Sequence, residues 1–229
     1  TAAGPEQAVS HREHDHHHAH SNDLDHRQDG QTAPWTLAEY RAASPWARRA
    51  YRVLNEPRLL YSIIPPLYFF GFMRVTARWY ENLAFAGFLA ALIWADVWPF
   101  YLATFIPTAI FGFVVFHLQH TFDGVYKRRG EAWDFLDNGL RGSSYLQVPR
   151  RFGLGPVLRF FFNGVAYHHV HHLHPGIPGY RLRACHHEGE ALFREVPRVT
   201  FAEALRTTAY ALYDEDQDRL LRWRDVRSA

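Results

Sequence analysis

The sequence predicts an all-α membrane protein: a transmembrane helical hairpin with a cytoplasmic helical cap that holds a histidine-rich metal site. Three observations carry that prediction. The stretch LAFAGFLAALIWADVWPFYLATFIPTAIFGFVVF, from Leu83 to Phe116, is apolar on every side except at its middle. One histidine pattern occurs twice, far apart and on either side of it: His14-x-x-His17-His18 and His168-x-x-His171-His172. All 16 histidines fall into three clusters, His11 to His26, His117 with His120, and His168 to His187, where a scatter of surface histidines would not cluster.

Composition sets the bounds. A chain of 229 residues suits one or two domains, and it is taken as a single domain over 1–229, with the hairpin at about 83–116 and the cap at about 117–229. It is 48% hydrophobic and 16% aromatic, yet its mean hydropathy is only -0.29. The apolar residues are therefore concentrated in one region. A net charge of +2 does not call for nucleic acid. The single cysteine, Cys185, excludes an internal disulfide and is compatible with a reducing compartment. There is no CxxC pair for a zinc ribbon or a thioredoxin-like site, and no Gly-rich phosphate loop.

Residues 1–34 are polar and rich in His and Asp, ending in the turn-like DGQTAP. The chain starts at Thr1 without a charged segment and apolar core of the signal-peptide kind, and the first histidine pattern arrives almost at once, so further sequence upstream is expected. On a helix, positions i, i+3 and i+4 share a face, so each pattern aims three imidazoles at one point. Imidazole suits iron, zinc, copper and nickel. Six or more nitrogen donors exceed the four of an ordinary zinc site, which favours two metal ions. A purification tag would be an uninterrupted run with no counterpart near residue 170. Taken singly, His11, His26 and His186 read as ordinary structural histidines without a metal role.

Residues 35–56 mix Arg with aromatics and predict one or two amphipathic helices broken near Pro45, lying on a membrane or on an ordinary protein surface. Residues 58–73 are apolar but contain Pro65 and Pro66, which remove helical donors. A re-entrant or interfacial segment is expected there. The long apolar region should break between Asp96 and Pro99, giving two segments of roughly 15–18 residues, near the lower limit for a bilayer. Both are apolar all round, as a lipid-facing helix requires. Lys127, Arg128, Arg129, Arg141, Arg150 and Arg151 follow the hairpin and mark that side as cytoplasmic. Residues 123–160 read as a soluble cap, and the charged tail from 188 to 229 has a helical, surface-like pattern. If both histidine patterns bind the same metals, the spans between His18 and His168 must be even in number. Two strong segments satisfy this, and they deliver His117 and His120 to the same face.

These residues resemble the membrane fatty-acid desaturases, most closely bacterial, cyanobacterial and plastid acyl-lipid desaturases of the Δ12 or omega-6 type. The matching stretches are HDHHHAHSN at 14–22, FHLQHTFDGVY at 116–126, GEAWDF at 130–135, GSS at 142–144 and AYHHVHHLHPGIPGYRL at 166–182. The resemblance implies an O2-dependent enzyme with two non-haem iron ions, ligated almost wholly by histidine at the cytoplasmic membrane face. It would introduce a cis double bond into a membrane-lipid acyl chain, with electrons from a donor such as ferredoxin. By motif, His14, His17 and His18 match the family's second histidine box, His168, His171 and His172 its third, and His120 the additional ligand between them. His117 is left outside the first coordination sphere, and His20, His169 and His174 are expected to orient ligands or to carry hydrogen bonds. Two stretches depart from the family pattern. NGVAYHHVHH places Asn163 one position early, and Ile177-Pro178-Gly179-Tyr180 has Gly where the family has Asn. The family's first box, an HxxxH, is expected upstream of residue 14, so residues 1–229 alone are expected to be inactive. Competing readings are an acyl, carotenoid or sterol hydroxylase on the same scaffold, a metal-transport protein, or an inactive fragment. Transport would require polar ligands inside the spans, and the hairpin has only Asp96, at its turn.

Overall fold

The computed structural model describes residues 16–27, 34–72, 74, 78–147, 154–162 and 164–227. His14, Arg150, Arg151 and Asn163 lie outside the described residues. The chain divides into two compact units, one of Thr1–Arg41 with Leu118–Ala229 and the other of Ala42–His117.

In the second unit each boundary has a local cause. Ser44 caps the helix Pro45–Leu54 by accepting from the Ala47 N–H at 3.2 Å, with Pro45 in the first turn where its missing donor costs nothing. This is the break expected near Pro45. Glu56 caps the next turn, Pro57–Leu60, through the N–H groups of Arg58 and Leu59. A turn at Ile64–Leu67 and a π-helical turn at Tyr68–Phe72 follow. The apolar stretch expected to be interfacial is thus a string of short pieces. None approaches the roughly 20 residues needed to cross a bilayer.

Two long helices come next, Trp79–Trp94 and Trp98–His120. The turn between them passes through Asp96 at φ 52, close to the expected break. Asp tolerates this left-handed conformation better than most residues. The second helix is 23 residues long, longer than the sequence suggests. It continues through His117 to His120, and its last three residues belong to the first unit. The two helices meet through aromatic rings: Phe88 against Tyr101 at 5.5 Å, and Phe70 against both Phe85 and Phe105 at 5.6 and 5.7 Å. Leu83, Ile93, Trp94 and Phe100 are exposed. Among the described residues, Trp98–His120 is the one helix long and apolar enough to cross a membrane, and only 11% of its most apolar window is buried. A core helix of a soluble protein would bury most of that surface.

The first unit corrects the all-α expectation. The tail holds one short helix, Phe201–Thr207, and is otherwise built largely of strands and turns. Two strands, β4 (Tyr210–Asp214) and β5 (Arg219–Arg222), form an antiparallel hairpin, and β1 (Trp35–Thr36) joins β4 in parallel, Trp35 opposite Leu212. Ala211, Leu212, Tyr213 and Leu221 are buried in this sheet. The turn between the strands is fixed by Asp214, whose Oδ1 accepts from Asp216 and Gln217, and by Asp218 at φ 50. A second, parallel pair joins β2 (Tyr145–Gln147) to β3 (Arg198–Thr200). The helix Phe201–Thr207 follows β3 directly, with a capping box between Thr200 and Glu203. Val170, Leu182, Phe193 and Val196 form the apolar core under the second histidine pattern.

Two glycines separate backbone strain from steric exclusion. Gly124 and Gly164 both have positive φ, +77 and +80. A Cβ on Gly124 meets open space, whereas on Gly164 it would lie 1.9 Å from the Gly179 carbonyl oxygen. Gly124→Ala should cost about 1–2 kcal/mol for left-handed backbone alone. Gly164→Ala should lower the thermal midpoint of the purified protein well beyond that. Equal shifts would contradict the close approach of residues 164 and 179.

Candidate metal centre

The first unit brings three distant segments to one point. Residues 16–20 are helical and carry His17 and His18 of the first histidine pattern. They are anchored just downstream, where Leu24 N–H donates to Arg128 O at 2.9 Å and Arg128 N–H to Asn22 O at 3.3 Å. The long helix ends on Gln119 and His120. Gln119 is buried and ties this helix end to the other segments: its Nε2 donates to Val165 O at 2.7 Å, and its carbonyl accepts from Ser144 N–H at 3.1 Å. The helix His168–Leu173 carries the second pattern. It packs so closely on the helix Phe135–Arg141 that a Cβ on Gly139 would meet Leu173 Cδ2 at 2.4 Å.

The Nε2 atoms of His120, His168 and His172 form a triangle with edges of 2.8, 3.1 and 3.2 Å. A neutral imidazole carries one N–H, and straight hydrogen bonds cannot run along all the edges of so small a triangle. Nitrogens bound cis to one metal at about 2.1 Å lie about 3.0 Å apart in octahedral geometry. The observed edges match that spacing. His17 joins from the first pattern: its donor nitrogen and those of His120 and His172 all lie within 4.8 Å of one another. His18 and His171 lie beside them, with ring centroids 4.5 Å apart, and His18 is 4.3 Å from His172. His18, His120, His168 and His172 are buried. Burial holds the pKa values of His168 and His172 well below the ordinary histidine value, and neighbouring histidines reinforce it. Both are neutral near pH 7, the form that binds metal. The donor set therefore fits a transition-metal centre.

Sequence reasoning missed the groups behind the imidazoles. Ser21 Oγ lies 3.3 Å from His172 Nδ1, and Asn138 Nδ2 donates to Ser21 Oγ at 2.9 Å. Asn22 Nδ2 donates to Asn138 Oδ1 at 2.9 Å and to the Gly142 carbonyl at 2.8 Å, while Lys127 Nζ donates to Asn22 Oδ1 at 2.7 Å. All these side chains are buried. Gly142 must lack a side chain, because a Cβ there would lie 2.2 Å from Asn138 Oδ1. GEAWDF now has a physical role. Trp133 Nε1 donates to Ser21 O at 3.1 Å, and Asp134 caps the helix that carries Asn138. Lys127, read from the sequence as one of the loop cations, is 2% exposed. Arg128 and Arg129 are paired, Arg128 with Asp218 and Arg129 with Asp25, Glu39 and Glu215.

The flanking histidines go elsewhere. His169 is sealed against His186, Nε2 to Nδ1 at 2.9 Å, and burial pushes its pKa down to about 3. His186 is thus a core residue. His174 is exposed. His20 turns toward Asp23 and His26. His117, in the second unit, packs against Tyr61 at 5.2 Å and Phe113 at 6.5 Å. The two stretches that depart from the expected pattern meet, since Gly164 lies against the Gly179 carbonyl.

The sequence also matches known proteins. The family model described as "Fatty acid desaturase" matches residues 6–202. A protein of Bacillus subtilis named "Fatty acid desaturase" is 32% identical over 226 residues, which is 92% of this chain and 62% of that protein. The "sn-1 acyl-lipid omega-3 desaturase (ferredoxin)" of Synechocystis is 30% identical over 105 residues, 44% of this chain and 27% of that protein. The chain thus spans less than two thirds of the length of these relatives.

Lys127 offers a test of the buried network. Burial, with a smaller push from Arg27, lowers its pKa to about 7. Below about 7 the folded and unfolded chains are both protonated and the burial penalty is full. Between about 7 and the ordinary lysine value the unfolded chain keeps a proton that the folded chain has lost, so stability rises with pH. The thermal midpoint of the wild type relative to Lys127→Met should therefore rise from pH 7 to about pH 9. A constant difference would mean that Lys127 is solvated.

Proposed function

The chain belongs to the fatty acid desaturase family, and from that premise we propose that it forms the catalytic part of an oxygen-dependent acyl desaturase with a histidine-ligated di-iron centre. The observation that carries the reading is the triangle of Nε2 atoms from His120, His168 and His172, joined by His17 from the first pattern. His14, His17, His18, His120, His168, His171 and His172 would hold two iron ions. His14 lies outside the described residues. Bound there, the irons would supply the O2 activation that no side chain provides.

The chain's own residues hold and position. If His172 keeps its proton on Nδ1 and gives it to Ser21 Oγ, its Nε2 lone pair faces the centre. Burial of the imidazoles keeps them neutral and keeps bulk water away. The overall reaction balances as one saturated CH2–CH2 unit, one O2, two electrons and two protons giving one CH=CH unit and two waters. The first two hydrogens leave the acyl chain, and the two further electrons come from a donor. The Synechocystis relative is named for ferredoxin, and a ferredoxin-like carrier is the donor we assign here. An acyl chain entering from the bilayer would contribute about 0.8 kcal/mol per buried CH2.

The topology proposed here rests on one requirement, that all the histidines of the centre lie on one side of the membrane. The chain leaves the histidine-bearing unit at Arg41 and re-enters it at Leu118. Any membrane crossed between those points is crossed an even number of times. The helices Trp79–Trp94 and Trp98–His120 would be the two crossings, with the histidine unit on the cytoplasmic side.

In the whole protein, His17→Ala and His172→Ala should each abolish the unsaturated product in a host lacking desaturases, read by fatty-acid analysis, with membrane levels of the protein maintained. Normal product from either variant would remove these residues from the centre.

With Cys185 replaced by Ser, single cysteines at His20 and Tyr180 should react with an impermeant thiol reagent only from the cytoplasmic side. One at Val97 should react only from the opposite side. Labelling of His20 and Tyr180 from opposite sides would break the shared-centre reading.

A further inference from the structure

A second group of metal-type donors begins at the end of residues 16–20, with His20, and continues through Asp23 to His26; the histidine centre does not use it. The Asp23 carboxylate is buried, with 6% of its side chain exposed. Its orientation is fixed without any ion: Oδ1 accepts from the Asp25 N–H at 2.9 Å. The backbone on either side of it is held by Arg128, through Leu24 N–H and Asn22 O. Oδ2 is thereby turned toward two imidazoles, His26 Nδ1 at 2.7 Å and His20 Nδ1 at 3.9 Å.

An ordinary ion pair accounts for only half of this. His26 and Asp23 are within hydrogen-bond reach, but His20 is not. His20 Nδ1 is shut off from water and has no hydrogen-bond partner, although it faces a carboxylate oxygen. All the donor atoms lie within 4.8 Å of one another. Small side-chain rotations would bring both nitrogens and Oδ2 onto one ion.

We propose that His20, Asp23 and His26 form a binding site for one divalent first-row transition ion, separate from the centre built on His17, His120 and His172. Two imidazoles and one carboxylate on one side of an ion leave its other positions open to water. His26 is exposed over 60% of its side chain, so the ion comes from solvent and exchanges with it, unlike any ion at the buried centre. Bound there, it would pin the loop that leads away from His17, His18 and Ser21, and it would satisfy His20 Nδ1.

The test uses zinc as the probe on the whole protein, purified in detergent, stripped with chelator, reloaded and desalted. Metal per chain is counted by mass spectrometry. His26→Gln and Asp23→Asn should each hold one zinc fewer than wild type, with thermal midpoints showing that both fold. If Asp23→Asn does not fold, His20→Gln takes its place. The same loss should appear when His26→Gln is added to His172→Ala, because separate sites contribute independently. Equal zinc in wild type and His26→Gln overturns the proposal. So does a loss that vanishes in the His172→Ala background, which would make His26 part of the one histidine centre. A loss on His26→Gln but not on the Asp23 or His20 variant would mark adventitious imidazole binding and overturns it as well.

Discussion

The Gly142 carbonyl can only accept a hydrogen bond, and that restriction propagates through buried side chains to Ser21, beside His172. Asn22 must turn its Nδ2 toward Gly142, so its Oδ1 faces Lys127, whose Nζ donates to it. The second Nδ2 hydrogen of Asn22 reaches Asn138 Oδ1, and Asn138 Nδ2 is left to donate to Ser21. Ser21 Oγ, with one lone pair engaged, still has another for an Nδ1–H from His172. One carbonyl thus sets the polarity of the row as far as Ser21. Its far end accommodates the tautomer in which His172 Nδ1–H donates to Ser21 Oγ and Nε2 keeps its lone pair, as a metal centre requires. A neutral amine donates as an ammonium does, so Lys127 serves in either protonation state.

That row also explains how segments so far apart in sequence reach one place. The first histidine pattern is held by Trp133, Arg128 and Asn138, all of which lie beyond the long helices. The second is held against Gln119 and the helix Phe135–Arg141. His120 sits between them on the last turn of the helix Trp98–His120. The GEAWDF and GSS stretches are therefore the fastening between the two patterns, and they carry no metal-type donor that the centre uses. Close approach at Gly139, Gly142 and Gly164 is what permits it, since a side chain at any of them would strike its neighbour.

What the sequence made legible is what repeats along the chain. The long helices were readable because their apolar residues cover all sides, and the turn was readable because Asp96 interrupts them. The histidine patterns were readable because i, i+3 and i+4 recur. The strands were not: β1 has two residues and its partner β4 lies near the other end of the chain, inside a segment whose charges suggest a surface helix. Single buried amides such as Asn22 and Asn138 leave no periodic trace. Lys127 misleads because a lysine beside two arginines is normally solvated. His20 misleads because nearness in sequence to His17 and His18 suggests a shared target. It shares a face instead with His16, their rings 4.5 Å apart, and so points away toward Asp23.

The apolar helices and the polar centre impose opposite demands on one stretch of chain. The helix Trp98–His120 must be apolar where little of it is buried and must end in donors where it meets the first unit. The change takes place within its last turns. Phe113 still packs against His117, Leu118 is fully buried, Gln119 hydrogen-bonds two other segments, and His120 reaches the nitrogen triangle. A helix delivers these functions at fixed angular intervals of about 100° per residue, so adjacent residues face different partners and need no loop between them. A flexible loop at that point would lose this angular register. The rigidity of the helix end is therefore what lets a chain segment with almost no polar side chains place one imidazole to within a few tenths of an ångström of the spacing that a metal requires.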